Sequence, residues 1–151
     1  MEKTFEDNFS EIQADMVDIC MEYVEDRADE IYIYGCYEDK CLSSDYFYNI
    51  NGNILMKHKL NDAYNGDEIY DVSGESQGFV LDILNKDIEK IKELCLENER
   101  EMPTEIKLIY NVKKNSLKAE YKYENVWSQY ENKLPQHVIE EWFEEIKAKN
   151  S

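Results

Sequence analysis

The sequence predicts a single α+β domain in which an antiparallel sheet of five strands is covered by three helices. Apolar residues recur with helical spacing in three segments and alternate as in strands in five others, in the order α-βββ-α-ββ-α. The 151 residues are enough to bury one core, and they contain no linker, repeat or low-complexity tract. Residues 1–151 are therefore interpreted as one domain, and we expect the sheet and its helices to form one pair of layers.

The first helix is predicted over residues 5–26. Its apolar residues are spaced by four, three, four, three and four positions: Phe5, Phe9, Ile12, Met16, Ile19 and Tyr23. Thr4 and Asp7 have the spacing of a capping box, which favours a start near Thr4. The opposite face of this helix is a nearly unbroken stripe of carboxylates: Glu6, Asp7, Glu11, Asp15, Asp18, Glu22, Glu25 and Asp26.

A three-stranded meander is predicted after the first helix. Residues 30–37 are apolar on both alternating faces, which is typical of a central strand. Residues 44–50 and 53–60 flank Asn51-Gly52, a pair that favours the positive φ angles of a type I′ hairpin turn. Residues 61–78 are then predicted to form a long loop.

The second half of the chain is predicted to add a helix, a hairpin and a closing helix. The second helix covers residues 79–98, and two strands follow over residues 104–112 and 117–123. The closing helix covers residues 136–148. Trp142 shares its apolar face, so we expect Trp142 to be a core residue rather than an interface residue. The other residues of that face are Val138, Ile139, Phe143 and Ile146.

The net charge of −17 is the compositional feature that most constrains function, with 34 acidic residues against 17 basic ones. Residues 1–30 hold 11 acidic and two basic residues, and residues 61–76 hold five acidic residues and no basic one. Such a surface repels nucleic acids and anionic membranes and speeds encounter with a basic protein. We therefore expect a basic protein partner and neither nucleic acid nor membrane. The alternative is a charge that serves only solubility.

No motif of catalysis or of cofactor binding is found in the sequence. It lacks a GxSxG elbow and the phosphate-binding patterns GxGxxG and GxxxxGK[ST]. His58 and His137 stand alone, and Cys36 and Cys41 lack a second pair of ligands, so we expect no metal site and no cofactor. The chain begins without an apolar signal segment, which favours a cytoplasmic protein with reduced thiols. We expect a protein that is not an enzyme.

The acidic loop 61–76 is the predicted partner-binding site, because it sets tyrosines among carboxylates and has little apolar content to bury. Aromatic rings flanked by carboxylates are good anchors for an Arg- or Lys-rich partner. Carboxylates beside Tyr70 are expected to contact the partner directly, whereas helix-face acids such as Asp15 and Glu22 are expected to steer it. The residues assigned to this site are Asp62, Tyr64, Asp67, Glu68, Tyr70 and Asp71. The alternative is a solvated loop without a partner.

Four stretches of the chain are similar to a pattern known from one protein family. They are the hairpin strands Ile106–Val112 and Leu117–Glu124, the block Ile139–Trp142, and the pair Tyr32 and Tyr34 in the first strand. In these segments and in the order of its elements the chain resembles the YezG-like immunity (antitoxin) family. The resemblance implies a small cytoplasmic protein that binds and neutralises a cognate secreted toxin, often a nuclease. It implies no catalytic residues.

Two other classes of protein stay open at this point. A non-enzymatic adaptor whose acidic surface only keeps it soluble predicts no tight basic partner. A small enzyme that uses carboxylates, with or without a divalent metal, predicts metal-dependent thermal stabilisation and a concave pocket lined by acids. The immunity hypothesis alone predicts a neighbouring gene for a larger toxin-like protein.

Overall fold

The computed structural model describes residues 3–38, 40–63, 69–125, 127 and 133–149. The predicted order α-βββ-α-ββ-α is confirmed. The helices are α1 (Phe5–Tyr23), α2 (Gly74–Glu97) and α3 (Pro135–Lys149). The strands are β1 (Glu30–Glu38), β2 (Cys41–Ile50), β3 (Asn53–Met56), β4 (Glu105–Asn111) and β5 (Ser116–Lys122), and a short 3-10 helix, Leu60–Ala63, follows β3.

The five strands form one antiparallel sheet in the order β3-β2-β1-β4-β5. β1 lies at its centre, as the two apolar faces of this segment predict. Glu30 of β1 pairs with Asn49 of β2 on one side and with Asn111 of β4 on the other. The first meander and the later hairpin are therefore joined through β1 into a single sheet, with β3 and β5 at the edges.

Helices cover the sheet on both faces. The larger core lies between the sheet and the pair α1 and α2, and it includes Ile31 and Ile33 of β1. The smaller core lies between the opposite face and α3, and it brings Tyr32 and Phe47 against Trp142. The expected single pair of layers is thus wrong. Because successive side chains of a strand point to opposite faces, the two apolar faces of β1 require a helical cover on each side.

Trp142 is a core residue, as predicted. It is buried on α3, and its ring meets those of Tyr32 and Phe47 edge-on, with centroids 5.9 and 5.1 Å away. The Nζ of Lys107 on β4 lies 5.3 Å from the centroid of the indole. Trp142 therefore fixes α3 to the sheet.

Local capping explains where the two longer helices begin. α1 starts with the predicted capping box, in which the backbone N–H of Asp7 donates to Thr4 Oγ1 at 3.1 Å and the N–H of Thr4 donates to Asp7 Oδ2 at 3.2 Å. α2 begins at Gly74, five residues before the predicted start, because Ser73 is its N-cap and accepts a hydrogen bond from the N–H of Ser76 at 3.2 Å. The loop before α2 is correspondingly shorter than predicted.

Candidate partner-binding site

α1 and α2 lie side by side in opposite directions on one face of the sheet, and their line of contact is called the seam. The C-terminal part of α1 and the start of α2 line one hollow, and the middle of α1 and the C-terminal half of α2 line another. The residues on α1 that line the seam follow a helical stripe: Asn8, Ile12, Asp15, Ile19 and Glu22. The matching stripe on α2 is Ser76, Val80, Asp87, Lys90, Leu94 and Glu97.

The first of these hollows, the acidic hollow, has a volume of about 550 Å³. Four of its lining residues are carboxylates, and none of the described lining residues is basic. Its lining residues are Ile19, Glu22, Tyr23, Glu25, Asp71, Ser73, Glu75, Ser76, Phe79 and Val80. Arg27 Nη2 lies 2.7 Å from Glu25 Oε2 and partly neutralises that carboxylate, so Glu22, Asp71 and Glu75 contribute most of the negative potential of the hollow. This potential favours a cationic group over any other ligand class.

One large apolar side chain in the lining of the acidic hollow is exposed. Phe79 is 58% exposed. An exposed aromatic ring beside carboxylates is a favourable contact for a guanidinium or ammonium group, which is attracted by both. The hollow thus combines apolar contact area with charge, as binding surfaces commonly do.

Asp71 is held in a fixed position at the start of α2. The Ser76 Oγ donates to its Oδ2 at 2.6 Å, and the backbone N–H of Ser73 donates to its Oδ1 at 3.0 Å. These hydrogen bonds, that of Ser76 first, lower the pKa of the Asp71 carboxyl below its ordinary value. Asp71 therefore stays ionised and contributes a preorganised negative charge to the acidic hollow.

Tyr70 has a different position from the one we expected. It is only 4% exposed, its hydroxyl donates to the carbonyl oxygen of Arg27 at 3.1 Å, and the Arg27 guanidinium lies 4.0 Å from the centroid of its ring. Its backbone N–H donates to Asn61 Oδ1 at 2.8 Å, and Asn61 Nδ2 donates back to the Tyr70 carbonyl oxygen at 3.0 Å. Tyr70 thus anchors the loop to the core and does not present its ring to a partner.

Of the four remaining predicted site residues, the structure describes only Asp62. Asp62 is exposed on the 3-10 helix Leu60–Ala63. Tyr64, Asp67 and Glu68 lie outside the described residues.

The acidic hollow unites the two acidic segments that the sequence showed separately. Glu22 and Glu25 come from the first segment, and Asp71 and Glu75 come from the second. Glu75 and Phe79 were not assigned to the site, although they stand four residues apart and so share a helix face. The spacing of Glu75 and Phe79 indicates a shared helix face only if Ser73 is recognised as the N-cap. A helix that starts at residue 79 leaves Glu75 in a loop.

The second hollow along the seam, the Asp87 hollow, has a volume of about 420 Å³. Its lining residues are Asn8, Glu11, Ile12, Asp15, Asp87, Lys90, Glu93, Leu94 and Glu97. Asp87 is 1% exposed, and the sequence interpretation missed it as a buried residue. The burial of Asp87 could have been predicted from its position between Leu84 and Ile91 in the otherwise apolar stripe of α2.

The charge state of Asp87 is set by its surroundings at the seam between α1 and α2. Burial, and secondarily the carboxyl group of Asp15, raise the pKa of Asp87 to about 7, while the ammonium of Lys90 opposes this shift. Lys90 Nζ lies 3.6 Å from Asp87 Oδ1. Oδ2 has no hydrogen-bond partner among the described residues. The structure therefore places a buried carboxyl group close to its titration point at neutral pH.

Within the described residues, no three or more His, Cys, Asp and Glu side chains are grouped so as to hold a metal ion. No described helix has the length and apolar character that a membrane span requires.

The fold and the seam together define an α+β protein with one strongly acidic face built by α1 and α2. No protein-family model matches the chain, and neither does any curated protein. The proposed function therefore rests on the chemistry of the acidic face.

Proposed function

We propose that this protein is a cytoplasmic immunity protein (antitoxin) that binds and neutralises a cognate secreted toxin, a basic protein such as a nuclease, through the face made by α1 and α2. The observation that supports this proposal is the acidic hollow, which is lined by four carboxylates and by the exposed ring of Phe79. The resemblance of the hairpin segments to the YezG-like immunity family agrees with it.

A nuclease fits this surface for an electrostatic reason. An enzyme that holds a phosphate backbone needs Lys and Arg side chains in a groove, and each of them can bind a carboxylate in place of a phosphate. The acidic hollow offers Glu22, Glu25, Asp71 and Glu75 at one place. Net charge −17 on the whole chain adds a long-range attraction, which supports association at about 10⁸–10⁹ M⁻¹s⁻¹ at low salt.

The rigidity of the acidic hollow also favours tight binding. Most of its lining residues belong to two helices packed on the sheet, and Asp71, which precedes α2, is fixed by Ser73 and Ser76 before a partner arrives. A preorganised site loses less conformational entropy on binding than a mobile loop does. Direct contacts are therefore assigned to the hollow, and the other acids of α1, such as Asp18, steer the encounter.

A purely solubilising role for the charge explains less of this surface. Solubility favours exposed carboxylates but disfavours exposed large apolar side chains. Phe79 is more than half exposed, and it lines the acidic hollow together with four carboxylates. That combination is expected of a binding site and not of a solvated face.

The test begins with the product of a neighbouring toxin-like gene. Expression of that product alone should stop growth of the host cells, and co-expression of this chain should restore growth. The purified proteins should form a stoichiometric complex in which the toxin's activity is lost. A neighbouring product that is harmless, or that is toxic but neither binds this chain nor is inhibited by it, contradicts the proposal.

A further inference from the structure

β5 is the longer of the two edge strands of the sheet, and on its outer side no strand pairs with it among the described residues. It spans seven residues, whereas β3 at the other edge spans four. It contains neither Pro nor Gly, and six of its seven residues are exposed. The N–H and C=O groups of an open edge bind a further strand unless the edge is blocked. β5 is therefore the part of the described sheet most able to receive another strand.

Apolar side chains are exposed along one face of β5. Tyr121 lies on the face toward α1, where its ring meets that of Phe9 edge-on with centroids 5.7 Å apart and its hydroxyl accepts a hydrogen bond from Gln13 Nε2. Leu117 and Ala119 share this face, because the side chains of a strand alternate. Leu117 is 40% exposed and Tyr121 is 37% exposed. A neighbouring strand with apolar side chains at matching positions would cover both.

The opposite face of β5 carries its three charged residues. Lys122 Nζ lies 3.8 Å from Glu105 Oε1, so this lysine is engaged with β4. Lys118 Nζ lies 3.5 Å from Glu120 Oε1, and both side chains are more than half exposed. One basic and one acidic side chain thus stand on either side of Ala119, and both are accessible to another strand.

These side chains make β5 self-complementary about its middle residue, Ala119. If two β5 strands pair antiparallel with Ala119 opposite Ala119, all seven residues pair, and Lys118 of each copy lies opposite Glu120 of the other. Leu117 of each copy then lies opposite Tyr121 of the other. Opposite charges and pairs of apolar side chains directly across from each other stabilise an antiparallel pair. Registers centred on Lys118 or Glu120 would instead place like charges opposite each other, which is destabilising.

The local charge also favours this edge as the meeting point of two strongly acidic chains. Residues 105–122, which comprise β4, the turn and β5, hold two acidic and five basic residues, whereas the whole chain has a net charge of −17. Two copies that approach through this segment repel each other less than two copies that approach through the acidic face of α1 and α2.

We propose that β5 is a self-association surface, at which a second copy of this chain pairs antiparallel about Ala119 to form a two-fold symmetric dimer with one continuous sheet. The proposal does not rest on the proposed function. The described residues that line the acidic hollow include none of β4 or β5, so each copy keeps its hollow outside the paired strands.

The experiment is sedimentation equilibrium of the full chain at about 150 mM salt, where charge repulsion is screened beyond about 8 Å. A pair of seven-residue strands is smaller than a standard interface, so we expect a Kd on the order of 10 μM. The mass should rise from 18.0 kDa toward twice that value as the chain concentration is raised through this range. A mass that stays at 18.0 kDa at about 300 μM overturns the proposal.

Charge exchange separates this edge from general association. Lys118→Glu sets like charges opposite each other twice in the dimer and should weaken it at least about fivefold, whereas Lys118→Glu/Glu120→Lys restores opposite charges and should return the Kd to within about twofold of the wild type. Lys59→Glu is the matched control, because it makes the same change in net charge at an exposed site next to β3. It should leave the Kd within about twofold of the wild type. Equal weakening by Lys59→Glu and Lys118→Glu, or no recovery in the double variant, overturns the pairing.

The register is tested by disulfide formation between copies in a Cys41→Ser background, since Cys41 is exposed and the other three cysteines are buried. In the proposed pair the two Ala119 Cα atoms are about 4.5–5.5 Å apart, which a disulfide can bridge. The two Leu117 Cα atoms are more than about 13 Å apart, because they are four residues out of register. Mild oxidation should therefore cross-link Ala119→Cys and leave Leu117→Cys monomeric. Equal cross-linking of the two variants, or none in Ala119→Cys, overturns the pairing about Ala119.

Discussion

Asp15 of α1 and Asp87 of α2 line the same hollow at the seam, where burial and then the neighbouring Asp15 carboxyl raise the pKa of Asp87 to about 7. When both are ionised they repel each other, and Asp87 Oδ2 has no donor among the described residues. The pairing therefore weakens the contact between the two helices at high pH.

The stability of the free protein should report this pairing directly. The pKa of Asp87 is raised from 3.8 to about 7 in the folded protein, so the folded state binds the proton more tightly than the unfolded chain. The contribution of Asp87 to the free energy of unfolding is therefore complete below about pH 4, falls as the pH rises to about 7, and is constant above.

The test of this linkage is urea unfolding of the wild type and of Asp87→Asn between pH 5 and 8. Asp87→Asn should remove this part of the pH dependence and be more stable than the wild type above pH 7, by on the order of 1–3 kcal/mol. Asp82→Asn, which removes an exposed charge, should keep the wild-type slope. Curves for Asp87→Asn and the wild type that stay parallel over this range would contradict the account of the seam.

Replacement of Trp142 by Ala should destabilise the protein severely. The indole is buried against Tyr32 and Phe47, so its removal leaves a large cavity between α3 and the sheet. We expect a loss of about 3–5 kcal/mol in the free energy of unfolding, measured by denaturant titration. An unchanged melting temperature together with lost partner binding would reassign Trp142 to the interface.

Two glycine substitutions should act in opposite directions. A Cβ on Gly35 of β1 would lie 2.9 Å from Ile88 Cδ1, so Gly35→Ala must displace the side chain of Ile88 and should cost about 1–3 kcal/mol of stability. A Cβ on Gly78 of α2 would meet nothing within 4 Å, so Gly78→Ala should stabilise the helix by about 0.5–1 kcal/mol. Thermal unfolding of the two variants measures both changes in stability. If Gly35→Ala is as stable as the wild type, the close packing of α2 on β1 is wrong.

The sheet was largely predictable because its signals are local. Alternation marked the strands, Asn51-Gly52 marked a turn in which both residues do have positive φ, and the two apolar faces of residues 30–37 marked the centre. Those two faces also imply a helical layer on each side of the sheet. The layer formed by α3 was not predicted because the sequence does not say on which side of a sheet a distant helix packs.

The binding site was less predictable because its residues are brought together by packing between helices. Asp71 was expected from its acidic neighbourhood, but its place beside Glu22 depends on the antiparallel arrangement of α1 and α2. Tyr70 was expected at the surface because its neighbours in sequence are polar. Its burial follows from contacts with Arg27 and Asn61, which no local pattern reveals.

The binding of the neighbouring toxin to charge variants of this chain tests most directly the proposal that the acidic hollow holds the partner. The double variant Glu22→Gln/Glu75→Gln removes two charges from the hollow. Its matched control, Glu140→Gln/Glu144→Gln, removes two exposed charges from α3 on the opposite face of the sheet.

At about 50 mM salt the hollow variant should dissociate at least about tenfold faster than the wild type, whereas the control should change only the association rate, by less than about threefold. The difference between the two variants should persist at physiological salt, because direct contacts are screened less than steering is. Equal effects of the two variants, or a larger loss in the α3 variant, would contradict the assignment of the partner to the acidic hollow.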